Sequence, residues 1–580
     1  MKRPLGFVVL GIVLTCIAFV SWLGPWRRQA TPPTFDRPLS SPRQLAEHSE
    51  EFRREVIEAA PGVHVAVGYG LANSILLIGD EGAVVVDTLE SIAAAEEVAT
   101  AFRELTDAPI RALIYTHNHA DHVFGAAAFA DPEAPPEVIA HVTTAAWIDR
   151  LLNVVRPIIG RRSVRMFGSF LDDTARVNCG IGPELRIDAE SAVRVLRPTR
   201  TVDDRLELSI AGLDLVLEHA PGETDDQLFV WLPEHRVLLP GDNFYRAFPN
   251  LYTIRGTPYR DVVAWVRSLD RMRALGAEVL VPSHSRPVVG AAAVDRALTD
   301  YRDAIQYVHD QTVRGMNLGM TPDALAATVN LPPHLAESPY LQELYGKVSW
   351  SVRAIYSGYL GWFDGNPSRL DPHPPAERAR RMAALVGGVD GLRRAVAEAE
   401  AADDPRWVLE LTDHLLELSA DDRAAREARV RALTLLGEAE GNPNARHTYL
   451  TRALELGSGL ELFDMAKVAP EMLHAIPTAS YFANLSVRLD PTAVLDIERR
   501  AGFVFPDTGE AFTLHVRRGV AEVRPTIDDP SALDLQVTLD AVVFKEMLAG
   551  LRNPAVVLAG PAIDVDGSRL ALVELFSWFG

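Results

Sequence analysis

The most informative motif for the fold is Thr116-His117-Asn118-His119-Ala120-Asp121-His122. It follows directly on Arg111–Tyr115, a short apolar run typical of a buried strand. A strand end that leads into a tight loop aims alternate side chains at one point, so the two histidines spaced two apart project together. The Asp-His pair that follows turns toward a neighbouring position. This arrangement predicts two adjacent metal ions rather than one. Imidazole and carboxylate ligands suit zinc, and manganese and iron remain open.

Around this motif, strand-like and helix-like segments alternate up to about residue 295. Residues 91–105 and 260–275 have the apolar spacing of helices. Strands are predicted for the following runs: His64–Val67, Ser74–Ile78, Ala83–Val86, Arg111–Tyr115, Arg205–Ile210, Leu213–Glu218, Leu228–Leu232, Arg236–Leu239 and Val279–Val281. Strands and helices in this order predict two layered sheets flanked by helices.

The character of the sequence changes twice beyond residue 295. Residues 296–465 are rich in Ala, Leu, Arg and Glu, which predicts an all-helical domain. Residues 466–580 have mixed patterns and predict a small α+β domain, and the proline-rich residues 29–60 predict a linker before the domain 61–295 that carries the histidine motif. In the last domain, strands are predicted at Leu485–Leu489, Phe512–Arg517, Val520–Arg524 and Leu535–Thr538, and a helix at Ala541–Leu548.

Composition narrows the classes of function. The chain has 580 residues, 57 basic and 78 acidic, which gives a net charge of −21. A length of this size predicts several domains, and the acidic surface repels nucleic acid phosphates, so no nucleic acid partner is expected. The two cysteines are Cys16 and Cys179. They exclude a thiolate-ligated zinc site, which needs several thiolates close together.

The N-terminus has the pattern of a targeting segment. Lys2 and Arg3 precede residues 5–23, an uncharged and mostly apolar run, and Arg27 and Arg28 follow it. The run is close to the roughly 20 residues that a spanning helix needs. Since no cleavage site is evident after it, an uncleaved membrane anchor within residues 1–28 is favoured over a cleaved signal peptide. Either interpretation predicts export to the periplasm or the extracytoplasmic face of the cell membrane.

Further motifs resemble the metallo-β-lactamase superfamily. That superfamily usually offers a histidine in a Pro-Gly-His-Thr turn, a bridging aspartate after a strand, and a histidine after the last strand. The corresponding stretches here are Pro221-Gly222-Glu223-Thr224-Asp225-Asp226, Leu239-Pro240-Gly241-Asp242-Asn243 and Pro282-Ser283-His284. Asp87, which ends Val84-Val85-Val86-Asp87, matches an aspartate that orients a ligand or supports the loop.

Glu223, in place of the superfamily's histidine, resembles the linear alkylsulfatases. Three other stretches resemble the same family: Arg161-Arg162-Ser163-Val164-Arg165-Met166-Phe167-Gly168, Asn250-Leu251-Tyr252-Thr253-Ile254-Arg255-Gly256 and Tyr356-Ser357-Gly358-Tyr359-Leu360-Gly361-Trp362-Phe363-Asp364-Gly365-Asn366-Pro367. The family's layout is an αββα metallo-β-lactamase sandwich, a helical dimerisation domain and a sterol-carrier-protein-like α+β domain. The resemblance therefore implies a homodimeric, zinc-dependent hydrolase of alkyl sulfate esters, with an amphiphilic anionic small molecule as its substrate.

The resemblance also implies the residues of the site. One zinc ion is expected on His117, His119 and Glu223, and a second on Asp121, His122 and His284, with Asp242 bridging them. Asp121 and Asp242 are the candidate catalytic carboxylates. Asn250 and Arg255 match positions that contact sulfate, and an arginine fork suits a tetrahedral oxyanion. Candidates for an alkyl channel, or for ordinary core, are Phe244, Tyr245, Phe248, Leu251 and Tyr252. For a further set of aromatics, buried core is favoured over a ligand cage: Tyr340, Tyr345, Trp350, Tyr356, Tyr359, Trp362 and Phe363.

Three departures from the family pattern keep other functions open. The family usually has a glutamate where Asp242 stands, His-Trp-Pro where Ser285-Arg286-Pro287 stands, and a tyrosine where Phe167 stands. A second hypothesis is therefore another hydrolase of the same superfamily: a lactonase, thioesterase, phosphodiesterase or β-lactamase. A third is a membrane-anchored module that binds lipid or surfactant and keeps only a vestigial site. The full ligand set argues against the third, and Glu223 with the three-domain layout argues against the second.

Overall fold

The computed structural model describes residue 35 and residues 40–187, 192–462 and 467–579. The apolar run 5–23, predicted to be a membrane anchor, lies outside these described residues. Among the described residues, no helix has both the length and the apolar character needed to cross a membrane.

A seven-stranded sheet carries the histidine motif. Its strands, in spatial order, are Glu55–Ala60, Val63–Val67, Ser74–Gly79, Gly82–Val86, Ile110–Ile114, Glu137–His141 and Arg200–Val202. The first four form antiparallel hairpins, and the last three join in parallel. Gly82–Val86 is buried along its whole length, as a strand covered on both faces must be. The motif begins where the central strand Ile110–Ile114 ends.

A second sheet of six strands faces the first. Its strands, in spatial order, are Val288–Val289, Val279–Leu280, Val237–Leu239, Leu228–Leu232, Leu213–His219 and Arg205–Ile210. Valine, leucine and isoleucine side chains of both sheets form one core between them. Helix Ile92–Arg103 packs on the outside of the first sheet, and helix Val262–Ala274 packs on the outside of the second. The predicted αββα sandwich is confirmed.

Helices dominate the chain after the second sheet. The longer ones are Ala291–Asn317, Val348–Leu360, Pro375–Leu385, Val389–Ala401, Pro405–Leu418, Arg423–Ala439 and Pro443–Ser458. The first two share a hydrophobic core with helix Val262–Ala274 of the sandwich. The helices from Pro375 to Ala439 form a separate core of their own. The helical region is thus packed directly against the outer face of the second sheet.

The C-terminal region is an α+β unit, as predicted. Its five-stranded sheet has the order Val520–Arg524, Glu510–Arg517, Glu498–Phe505, Leu535–Thr538 and Asp564–Asp566. Its main helices are Thr478–Arg488, Ala541–Leu548 and Arg569–Ser577. The predicted strand Leu485–Leu489 is wrong, because most of it lies in the helix Thr478–Arg488, whose Tyr481, Phe482 and Leu485 share one buried face. The sequence analysis also missed the central strand Glu498–Phe505.

Candidate metal centre

A buried aspartate fixes the loop that carries the histidines. Asp87 has a positive φ of 60° and is fully buried. Its carboxylate accepts hydrogen bonds from the backbone and the hydroxyl of Thr116, at 2.9 Å each, and from the hydroxyl of Ser283 at 2.7 Å. It also lies 2.8 Å from Nδ1 of His122. Asp87 thus ties the motif to the loop after strand Val279–Leu280 of the second sheet and orients one imidazole, which fits the role predicted for it.

Six side chains converge in two adjacent groups. His117, His119 and Asp242 form one group, and Asp121, His122 and His284 form the other, with the potential ligand atoms of each group within 4.8 Å of one another. Oδ2 of Asp242 lies 3.6 Å from Nε2 of His117, 3.4 Å from that of His122 and 3.2 Å from that of His284. Asp242 therefore faces both groups.

These donor atoms fit divalent cations. Ligands at zinc's usual bond length in a tetrahedral site lie roughly 3.3 Å apart, close to the separations around Asp242. Nδ1 of His122 faces Asp87, and Nδ1 of His284 lies 2.9 and 3.0 Å from the carbonyls of Leu71 and Ile181. Within the described part of the chain, Nε2 of both rings is buried without a hydrogen-bond partner, as is Oδ1 of Asp242. Buried acceptors without partners are costly unless a cation satisfies them.

The electrostatics of the cluster keep its carboxylates ionised. Burial alone would raise the pKa of Asp121, but the imidazoles of His122 and His284 lower it to about 2. Burial also opposes the ionisation of Asp242, yet His284 and His122 hold its pKa well below the usual range. Burial lowers the pKa of His117 to about 3, so this ring is neutral at physiological pH. Neutral imidazoles and ionised carboxylates are the forms that bind metal.

Glu223, which was predicted to hold a metal ion with His117 and His119, does not join the six converging side chains. Its carboxylate belongs to neither group and forms an ion pair with Arg260, whose Nη1 lies 2.5 Å from Oε2. Its backbone N–H donates to the side chain of Asn243. Burial raises the pKa of Glu223 to about 7, against the lowering effect of Arg260. Glu223 could be predicted from its motif, but its ion pair with Arg260 could not.

The two predicted sulfate contacts lie on one loop but in different surroundings. Nη2 of Arg255 is 3.0 Å from Nε2 of His119, at the edge of the metal centre. Asn250 is 1% exposed, and neither atom of its side-chain amide has a hydrogen-bond partner among the residues that the structure describes. Its backbone N–H donates to the hydroxyl of Tyr245 at 2.7 Å. The loop between them is held by Arg162, which donates two hydrogen bonds to the carbonyl of Ile254.

A cavity of about 130 Å³ leads to this centre. At one end it meets His119, Asp121, Asp242 and Arg255. Its walls come mainly from helices Thr144–Asn153 and Arg156–Phe167 and from residues 181–187, and they are predominantly apolar: Leu71, Phe124, Leu151, Leu152, Ile159, Val164, Phe167, Ile181, Leu185 and Ile187. The cavity thus joins a charged end to an apolar space.

The candidate channel residues of the sequence analysis do not line this cavity. Phe244, Phe248 and Leu251 lie in the core beneath helix Val262–Ala274, and Tyr245 lies in a neighbouring core. Tyr252 is half-buried and lines a separate pocket together with Leu251. Tyr345, for which buried core was favoured over a ligand cage, lies in the same core as Tyr245 and also lines the cavity. The core prediction is wrong for Tyr359 and Trp362, which are exposed. Helix Arg156–Phe167, which lines the cavity, contains most of the stretch 161–168 that resembles the alkylsulfatases. No local pattern in the sequence indicates that this helix lines a cavity.

A sandwich with two facing groups of His and Asp ligands at its strand ends defines a metallo-β-lactamase-type metal-dependent hydrolase. The family model for the metallo-beta-lactamase superfamily matches residues 67–284. The models described as alkyl sulfatase dimerisation and alkyl sulfatase C-terminal match residues 321–459 and 466–580. A linear primary-alkylsulfatase of Pseudomonas sp. is 40% identical over 519 residues, which cover 86% of this chain and 97% of the relative. The chain belongs to the alkylsulfatase family.

Two further relatives agree with this membership. An (R)-specific secondary-alkylsulfatase of Pseudomonas sp. is 28% identical over 90% of this chain and 80% of its own length. The solved structure of the stereoselective inverting sec-alkylsulfatase Pisa1 from Pseudomonas sp. superposes with a TM-score of 0.85 at 25% identity. The superposition covers 95% of this chain and 92% of that chain. The similarity therefore extends over all three regions of the fold.

Proposed function

We propose that this protein hydrolyses alkyl sulfate esters, with the sulfate at the metal centre and the alkyl chain in the apolar cavity. The cavity carries this proposal, because it reaches Asp121, Asp242 and Arg255 and most of its other lining side chains are apolar, with Arg156, Ser163 and Ser169 as the polar exceptions away from the metal centre. An ester with a charged head and an apolar tail matches both ends. The relatives named as alkylsulfatases support the same substrate class.

For the head group, we assign binding to Arg255 and Asn250. A guanidinium donates parallel hydrogen bonds to two oxygens of a tetrahedral anion. Arg255 lies at the inner end of the cavity beside His119. The unpartnered amide of Asn250 offers a further donor from the same loop.

For the metal, we propose two zinc ions per chain. His117, His119 and Glu223 would hold one, Asp121, His122 and His284 the other, with Asp242 between them. Bound zinc lowers the pKa of water and polarises an ester oxygen. The chain's own contribution is to fix the imidazoles through Asp87 and two backbone carbonyls, and to exclude bulk water from the ester by the apolar walls.

A substrate panel tests the proposal. Purified protein is assayed on octyl and dodecyl sulfate, a lactone, a thioester, a phosphodiester and a β-lactam, before and after metal removal by a chelator. We expect metal-dependent release of inorganic sulfate from the alkyl sulfates. Turnover of another ester or amide without sulfate release would favour the second hypothesis, another hydrolase of the superfamily.

We propose that two copies associate through the helical region. Residues 321–459 match the alkyl sulfatase dimerisation model, and several large apolar side chains in this part are open to solvent, such as Trp362 at 74% and Leu385 at 79% exposure. Exposed apolar surface of this kind is typical of interaction sites. Light scattering should give twice the mass of one chain, and a monomer at micromolar concentration would contradict the proposal.

We also propose that the protein is exported and attached to the membrane through residues 5–23. The support is the charged start, the apolar run and the missing cleavage site in the sequence. Cell fractionation should find the protein in the membrane fraction and accessible from outside the cytoplasm. Recovery from the cytosol would contradict export, and a soluble form that starts after residue 28 would contradict only the anchor.

A further inference from the structure

A buried arginine connects the two loops that border the metal centre. Arg260 is 4% exposed, and its Nη1 forms the ion pair with Glu223. The same nitrogen donates a hydrogen bond to the backbone carbonyl of Asn250. Arg260 therefore contacts both the turn that carries Glu223 and the loop 250–255 that ends in Arg255.

The charge of Glu223 gives this contact its importance. A glutamate adds a full negative charge where a histidine ligand would be neutral, and the side chain of Glu223 is only 3% exposed. A buried carboxylate without a partner is strongly destabilising. Among the ion pairs of the described residues, Arg260 is the basic partner of Glu223. If Arg260 lost its charge, the site would present one more negative charge to an anionic head group and would repel it.

We infer that Arg260 is a positioning residue of the sulfatase reaction. It balances the carboxylate of Glu223 and fixes the loop of Asn250 and Arg255, so that the centre accepts a sulfate monoester anion. This inference rests on the proposed function. It makes Arg260 and Glu223 a matched pair, in which a change at one residue is corrected by a change at the other.

A double-mutant cycle tests the pairing. The variants are Arg260→Met, Arg260→Lys, Glu223→His and the double variant Glu223→His with Arg260→Met, all in the full-length protein. Arg260→Met should raise KM for dodecyl sulfate by about tenfold or more and retain its metal, because the carboxylate that it leaves unbalanced repels the anion and attracts the cations. Arg260→Lys keeps the charge and should recover part of the loss. Glu223→His alone should lose metal, since it leaves Arg260 unpaired beside the cations.

The double variant gives the decisive result. It removes both charges together, so its KM should fall below that of Arg260→Met and its metal content should exceed that of Glu223→His. A merely structural arginine would lower Tm and kcat without this recovery. The matched control is Arg353→Met, whose arginine is half-exposed and pairs with Asp323 instead. A KM for Arg260→Met within twofold of wild type, or effects in the double variant that equal the product of the single ones, would overturn the inference.

Metal content and Tm separate this inference from the proposed function, because neither measurement needs a substrate. If the wild type hydrolyses no alkyl sulfate, the proposed function fails. Recovery of metal content and Tm in the double variant still supports the pairing of Arg260 with Glu223, and additive losses overturn it.

Discussion

Replacing Arg255 by methionine should remove most of the sulfatase activity while the metal stays bound. Arg255 lines the inner end of the apolar cavity, and its Nη2 lies 3.0 Å from Nε2 of His119. Arg255 is half-buried and carries a positive charge, so its hydrogen bonds to an anion are charge-assisted and stronger than neutral ones. A hydrogen bond to a charged group is worth about 1.5–3 kcal/mol.

Two such bonds from one guanidinium therefore amount to about 3 kcal/mol or more. At 1.4 kcal/mol per tenfold change, kcat/KM should fall by about two orders of magnitude or more. Arg255→Lys keeps the charge but donates from a single nitrogen, so we expect an intermediate loss. Arg255→Met should retain the metal because Arg255 supplies no ligand atom.

The assay follows inorganic sulfate released from dodecyl sulfate, together with elemental analysis of each variant. The control is Arg161→Met, which removes a positive charge from the exposed face of helix Arg156–Phe167 and should behave as wild type. If Arg255→Met keeps kcat/KM within threefold of wild type, the assignment of the head-group contact is wrong. Loss of metal from this variant would also refute the reasoning, because Arg255 would then support the ligands.

Three further outcomes are expected. His284→Ala should lose bound metal in elemental analysis, whereas His219→Ala, which changes a ring stacked on His141, should keep it. Each carbon added to a linear alkyl sulfate should raise kcat/KM by about fourfold until the cavity is filled, because burial of one CH₂ contributes about 0.8 kcal/mol. If kcat/KM does not change with chain length, the cavity does not bind the alkyl chain. Burial opposes the protonation of His122 and His284, but Asp242 and Asp121 raise the pKa values of both rings above the ordinary value of histidine, so protons compete with metal already near neutral pH. Metal content should therefore fall as the pH drops from neutral, and a metal content that is constant down to about pH 5 would contradict this.

Much of the metal centre could be predicted from the sequence because its chemistry is local. His117, His119, Asp121 and His122 lie within six residues after one strand, so a single loop brings them together wherever that strand lies in the sheet. Asp242 and His284 also follow strand ends directly. Strand ends on the same side of a sandwich meet at one edge, and the motif pattern is enough to place them there.

The contacts of Glu223 and the walls of the cavity could not be predicted in this way. Arg260 lies 37 positions after Glu223 by the printed numbering, and no spacing rule connects the two. The aromatics before Asn250 have the composition of an alkyl channel, but Phe244, Tyr245 and Phe248 are buried in the core instead. Leu485–Leu489 shows the same limit locally, because a short apolar run fits a strand or a helix face equally well.

The sequence alone was enough to predict the sandwich, the helical region, the α+β unit and the clustering of the His and Asp side chains of the histidine loop, since apolar periodicity and residue type act over short distances along the chain. The tertiary structure was needed to see that Leu71, Phe124, Ile159, Leu185 and Tyr345 line one cavity at the metal centre. It was also needed to see that Arg260 forms an ion pair with Glu223. The physical reason is that a cavity wall or a buried ion pair is formed by side chains from separate elements, and their meeting depends on how the whole core packs.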